Sequence, residues 1–273
     1  MATLSPVDES GSGRLSPRAS LLYQTEAVPI VEPAEDAPPV EADEHSMLGM
    51  AELLLKAPAQ VDRLTRDPDR QPELVLRFLA IALASFSLFA AVLVLLLDCV
   101  PEAALPEVLA QRWKVGVGSA LSLWLAYAVG LVAASGVCLP SFYFFGLLAG
   151  VRASWMQVTV HVLRGKGATA VLLLGLLPIY VAVVLGMVIF NAPIQTLRPA
   201  LWLGLSLPFL SGLWGVLAIY RGFLSLADSL PPERRCRRTC FLRRLTVSWA
   251  AVYSVVSPVM IFRLWEVLSE RFA

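Results

Sequence analysis

The apolar and polar positions divide the chain near residue 77. Upstream, large apolar side chains are sparse and broken up by Pro, Ser, Glu and Asp; downstream, long runs carry no charge. Residues 78–97 are uncharged and strongly apolar, bounded by Arg77 and Asp98. At a helical rise of about 1.5 Å per residue they reach about 30 Å, the thickness of a bilayer's hydrocarbon core. Further runs at 115–137, 168–190, 200–220 and 245–262 have the same character. The pattern predicts an all-α protein, a polytopic transmembrane helical bundle of five spans within residues 77–265, with a short tail at 266–273.

Residues 139–163 are the candidate for a sixth span. They follow the apolar run without a charge until Arg152, then carry Gln157 and His161. They read as an interfacial or re-entrant segment or as a further crossing.

Residues 1–46 are rich in Pro, Ser, Glu and Ala, and too poor in large apolar groups to offset chain entropy. They read as a disordered tail, with Leu21–Tyr23 as its sharpest docking candidate, and lack the basic-then-apolar order of a secretory signal. Residues 47–76 read as amphipathic juxtamembrane helices. Met47, Met50 and Leu54 fall at helical spacing, Pro58 stops the first helix, and a second runs to Thr65.

Composition sharpens this division. Charged residues make up 16% and hydrophobic residues 57%, against about 25% charged in ordinary soluble domains. Residues 1–77 hold 14 of the 21 carboxylates, and none occurs between Glu107 and Asp228. A soluble surface of that length without an acid is hard to build, whereas lipid-facing helices need none.

Charge also decides the number of crossings. Lys and Arg near helix ends are retained in the cytoplasm. Five spans with a cytoplasmic N-terminus place Arg221, Arg234, Arg235, Arg237, Arg238, Arg243 and Arg244 inside, together with Arg152, Arg164 and Lys166. Six spans would put the seven loop arginines outside and Arg152 in the bilayer, at about 2.5–3.5 kcal/mol for a midplane arginine. The expected topology is therefore N-terminus in and C-terminus out, in the plasma or inner membrane if the source is bacterial.

Few residues suggest chemistry. Metal sites need clustered ligands, but the chain has two histidines, and Cys236 and Cys240 stand among arginines that repel cations. No phosphate loop, nucleophile motif or acid–base pair is evident, so the chain reads as non-enzymatic, without metal or cofactor. The spans carry ionisable residues only at their ends. Pro178, Pro208 and Pro258 lie one in each of the last three spans as expected kinks, and proline-broken helices can form solute sites. The seven loop arginines read as a contact surface for anionic lipid headgroups or protein partners, each worth about 1 kcal/mol near an anionic surface. With only Phe223 and Phe241 available for stacking, nucleic acid is not the expected partner. Gly146 and Gly150 form a small-xxx-small pattern suited to close helix packing or self-association.

The order of parts resembles the Yip-domain family of multi-span membrane proteins. The resemblance rests on the stretch from Ala51 to Leu64 (AELLLKAPAQVDRL), on five spans, and on Gly165-Lys166-Gly167 as a turn before a span with a central Leu177-Pro178. Arg164 replaces the first glycine of the family's Gly-Gly-Lys-Gly turn. The resemblance implies five spans with a cytoplasmic N-terminus and supplies no catalytic residue. Residues and resemblance together favour a membrane scaffold or organiser that meets partners through its tail and basic loop. A small-solute transporter or channel is the alternative.

Overall fold

The computed structural model describes residues 46–65, 67–110, 117–148, 154–227 and 232–272, without the side chains of 108, 117, 145, 146, 148, 222–227, 232–242 and 272. Nearly all of residues 1–46, the tail with its Leu21–Tyr23 docking candidate, falls outside them, as do Arg152, Gly150 and the side chains of Gly146, Cys236 and Cys240.

The described residues are helical almost throughout. Two short helices, α1 (Met47–Lys56) and α2 (Pro58–Thr65), precede α3 (Gln71–Asp98). A 3-10 turn (Glu102–Ala104) and the single-turn α4 (Glu107–Ala110) lead to α5 (Val117–Leu148), α6 (Trp155–Ile189), α7 (Ile194–Ala227) and α8 (Pro232–Phe272). Five of these helices, α3 and α5 to α8, are long and apolar enough to cross a membrane. Their outward faces carry Leu88 and Leu95 on α3, Val129 on α5, Ile179 and Val183 on α6, Leu210 and Leu213 on α7, and Val255 and Val259 on α8. So continuous an apolar exterior fits lipid and is foreign to a soluble monomer.

The helices overrun the apolar runs that announce them. At 35 and 41 residues, α6 and α8 are about 53 and 62 Å long, well beyond the hydrocarbon core. The described part of residues 139–163 forms neither a separate segment nor a sixth span. Residues 139–148 complete α5, running through Pro140, and 155–163 open α6. Helix α6 starts where it does because Ser154 and Gln157 form a reciprocal capping box, with Gln157 N donating to Ser154 Oγ at 3.1 Å and Ser154 N to Gln157 Oε1 at 2.9 Å. Tyr143 and Trp155 meet edge to face with ring centroids 5.0 Å apart, bringing the end of α5 to the start of α6. Gly165-Lys166-Gly167, expected as a turn, lies within unbroken α6.

Alternation of the long helices gives the bundle two ends. One, the capped end, carries α1, α2, the start of α3, the end of α5, the start of α6 and the end of α7. The other carries the residues after α3 and the α6–α7 turn. Asn191 makes that turn at φ 50°, a left-handed conformation that asparagine tolerates better than most residues. Arg198 Nη2 donates to Ala103 O at 3.1 Å, tying α7 to the 3-10 turn there.

Inside the bundle, α6 packs chiefly against α3 and α7, while α5 packs against α8 and α3. The main core joins Phe86, Phe89 and Leu93 of α3 to Leu173 of α6, Leu201 of α7 and Ile261 of α8. Lipid chains compete for apolar contact, so such helices associate mainly through close packing and interhelical hydrogen bonds. Aromatic donors supply the bonds: Trp124 Nε1 to Ser87 O at 2.8 Å, Tyr253 OH to Leu131 O at 3.0 Å, and Trp249 Nε1 to Cys138 O at 3.3 Å.

Candidate functional site

The sequence directs attention to the basic connection between α7 and α8, and the structure places its described members at the capped end. Arg221 is exposed near the end of α7; Arg243 and Arg244 are exposed in the first third of α8. The backbone of Arg234, Arg235, Arg237 and Arg238 belongs to α8, and their side chains lie outside the described residues. Pro178, Pro208 and Pro258 lie inside α6, α7 and α8, and each helix continues through its proline. Three serines within the spans bond back to their own helices: Ser122, Ser206 and Ser211 donate to the carbonyls of Ser119, Leu203 and Pro208.

The groups that the structure brings together are others. Helices α1 and α2 fold over the first third of α6 and bury Met50, Leu53, Leu54 and Val61 against Phe78, Ile81, Val160 and Leu163. Ser46 caps α1, its Oγ accepting from Gly49 N at 2.9 Å. This cap stands clear of the apolar run that begins after Gly167, so water is its alternative environment. Each fully buried leucine or methionine there contributes about 1.5–3 kcal/mol relative to exposure.

The same part of α6 carries His161, Arg164 and Lys166, all buried. Arg164, 3% exposed, forms an ion pair with Asp62 of α2 and donates from Nη2 to Pro58 O at 2.9 Å. The guanidinium fork thereby grips both a carboxylate and the carbonyl at the start of the same short helix. Lys166 points to the other side of α6, with Nζ 3.5 Å from the centroid of the Tyr253 ring. Tyr253 stacks on Trp249, centroids 5.4 Å apart, and Trp249 meets Phe142 at 5.1 Å. A desolvated cation over an aromatic face gains about 2 kcal/mol, far less than a buried carboxylate partner could supply.

Standing at the end of a span does not expose an ionisable group here. Arg164 and Lys166 do precede the apolar stretch, yet the protein encloses them instead of offering them to solvent. Because Lys166 has no carboxylate partner among the described residues, Lys166→Met should be neutral or mildly stabilising in thermal unfolding. A clear loss of stability would show that the aromatic contact outweighs the cost of burying the ammonium.

Among the described residues no three His, Cys, Asp or Glu side chains gather closely enough to hold a metal ion. The arrangement is a latch between a peripheral helix pair and a transmembrane helix. Compared with known proteins, the chain matches no family model, no curated protein and no solved structure.

Proposed function

We propose that this chain is a membrane scaffold or organiser whose contact surface is the capped end of the bundle. The observation that carries the reading is the docking of α1 and α2 on α6 through Asp62, Arg164 and the Leu53–Leu54–Val61 cluster. That docking fixes the helices that follow residues 1–45 on the bundle. The exposed Arg221, Arg243 and Arg244 stand at the same end. The outer side of α1 exposes Leu48 and Leu55, seven residues apart and so on one helical face. A basic surface beside a small apolar one suits anionic lipid headgroups and membrane-protein partners.

On the positive-inside rule this end faces the cytoplasm. The same architecture accords with the resemblance to Yip-domain proteins, although the family's glycine–lysine turn is helical here. The transporter reading draws less support, because helices α6 to α8 run through their prolines without the unwound breaks that form solute sites in transporters.

The test is a pair of measurements. A chain lacking residues 1–70 loses α1 and α2 but keeps the five long helices, so it should insert while losing cross-linked membrane partners. Purified full-length protein in liposomes should show no solute flux above protein-free vesicles. Unchanged partners after truncation would sink the scaffold reading, and flux abolished by changing Pro178 or Asn191 would replace it with a transporter.

A further inference from the structure

At the end opposite the cap, α5, α7 and α8 border a cavity of about 290 Å³. Leu123 and Tyr127 of α5, Trp202 and Ser206 of α7, and Pro258 and Trp265 of α8 contribute to its wall. Trp202 is 50% exposed on the outside of the bundle, so the cavity communicates with the surrounding bilayer. The wall is almost entirely apolar. Its hydroxyls are already engaged: Tyr127 OH donates to Leu205 O at 3.3 Å and Ser206 Oγ to Leu203 O at 2.9 Å.

One polar group is not engaged. Trp265 is 3% exposed, and its Nε1–H finds no acceptor among the described residues. A buried donor left unpaired costs about 1–3 kcal/mol, so this one calls for an acceptor from outside the chain. Trp265 lies three residues past the apolar run 245–262, beside the Arg263–Glu266 ion pair at 2.9 Å. That is the depth at which hydrocarbon gives way to headgroups, where lipid ester carbonyls lie. Next to the cavity a shallow cleft is formed by Ile194, Gln195, Arg198, Pro199 and Trp202. Trp202 belongs to both, and Arg198 stands one helical turn, about 6 Å, nearer the membrane surface. Arg198 and the Trp265 indole N–H thus both stand toward the surface side of an apolar cavity.

A phospholipid presents the complementary groups: phosphate, ester carbonyl and acyl chain. We propose that the α5–α7–α8 cavity is a phospholipid site. Part of one acyl chain fills the cavity, its ester carbonyl accepts from Trp265 Nε1, and its phosphate meets Arg198. The volume lies at the lower end of small-molecule sites, roughly 300–1,000 Å³, and suits a segment of one chain instead of a whole lipid. The site stands apart from the capped end and does not depend on the scaffold reading.

Photolabelling in the full chain tests the proposal. The protein is reconstituted in phosphatidylcholine vesicles containing a phospholipid with a diazirine in mid-chain, irradiated, and mapped by peptide mass spectrometry. Label should concentrate on residues 202–209 and 258–265, above the lipid-facing surface around Val183. Ser206→Phe, which fills the cavity, should remove this excess. Trp265→Phe, which keeps a ring but loses the donor, should weaken labelling about five- to tenfold at limiting probe, the equivalent of one hydrogen bond. Trp265→Phe decides the matter if the bulkier variant fails to fold. Arg198→Gln should lower labelling by the phospholipid probe and leave an uncharged diacylglycerol probe unaffected. Label spread evenly over the lipid-facing belt and indifferent to both phenylalanine variants would overturn the site. Equal loss of both probes in Arg198→Gln would overturn its headgroup contact.

Discussion

Asp62→Ala should release α1 and α2 from the bundle while the five long helices remain folded. The carboxylate is the charge partner of a guanidinium that is 3% exposed, and its removal leaves that cation enclosed among apolar side chains. Breaking a buried pair from one side costs about 3–5 kcal/mol. The chain can relieve that cost by undocking the cap, since water can then reach Arg164, but the burial of Leu53, Leu54 and Val61 is lost at the same time. Trypsin cleavage after Arg63 and Arg70, with hydrogen exchange of α1, reads the undocking directly. The double variant Asp62→Ala with Arg164→Leu should restore most of the protection, because an apolar side chain needs no carboxylate. Protection of α1 equal to wild type in the single variant would mean that apolar contacts alone hold the cap.

Gly215→Val should be the most damaging change within the bilayer region. A Cβ at Gly215 would stand 2.0 Å from Thr169 Oγ1 and 2.6 Å from Gly165 O. From the other side, a Cβ at Gly165 would stand 2.5 Å from Ile219 Cγ1 and 2.9 Å from Gly215 O. The two glycines let α6 and α7 cross nearly backbone to backbone, the close approach that small residues permit in membranes. Thr169 Oγ1 is held in place by its own bond to Gly165 O at 2.9 Å, so it cannot simply rotate away. Overpacking of this kind costs about 1–3 kcal/mol, and more where backbone is the obstacle. Thermal unfolding in detergent should show a large drop for Gly215→Val. Gly175→Ala, whose added Cβ would meet nothing within 4 Å, should show almost none. Equal Tm values for the two would refute the crossing.

The spans were legible because a run of about twenty apolar residues matches the thickness of the hydrocarbon core and suits little else, and five such runs correspond to the five long helices. Their ends were not, since hydropathy marks where lipid stops and a helix can continue past that point. Residues 139–163 show the difference: their polar groups look like an interruption, yet Ser154 and Gln157 spell a capping box that starts α6 at Trp155. That signal was present in the sequence. The partner of Arg164 was not readable, because Asp62 is 102 residues away and no local pattern links them. Trp265 lay beyond the last apolar run, where an isolated tryptophan looks like an ordinary interfacial anchor. The three prolines were found at their positions, but whether a helix bends or breaks there depends on neighbours that spacing does not reveal.

Arg164 and Lys166 bear on how charge is counted in such a protein. During insertion both are cations on a nascent chain, and both vote for the side on which their helix end is retained. Once the bundle has closed, Asp62 neutralises one and the Tyr253 ring shelters the other. The carboxylate then offsets the charge of Arg164 at the surface, whereas Lys166 has no carboxylate to offset it among the described residues. A residue that counts toward topology while the chain is being inserted can thus be missing from the surface charge of the finished molecule, and Arg164 is such a residue.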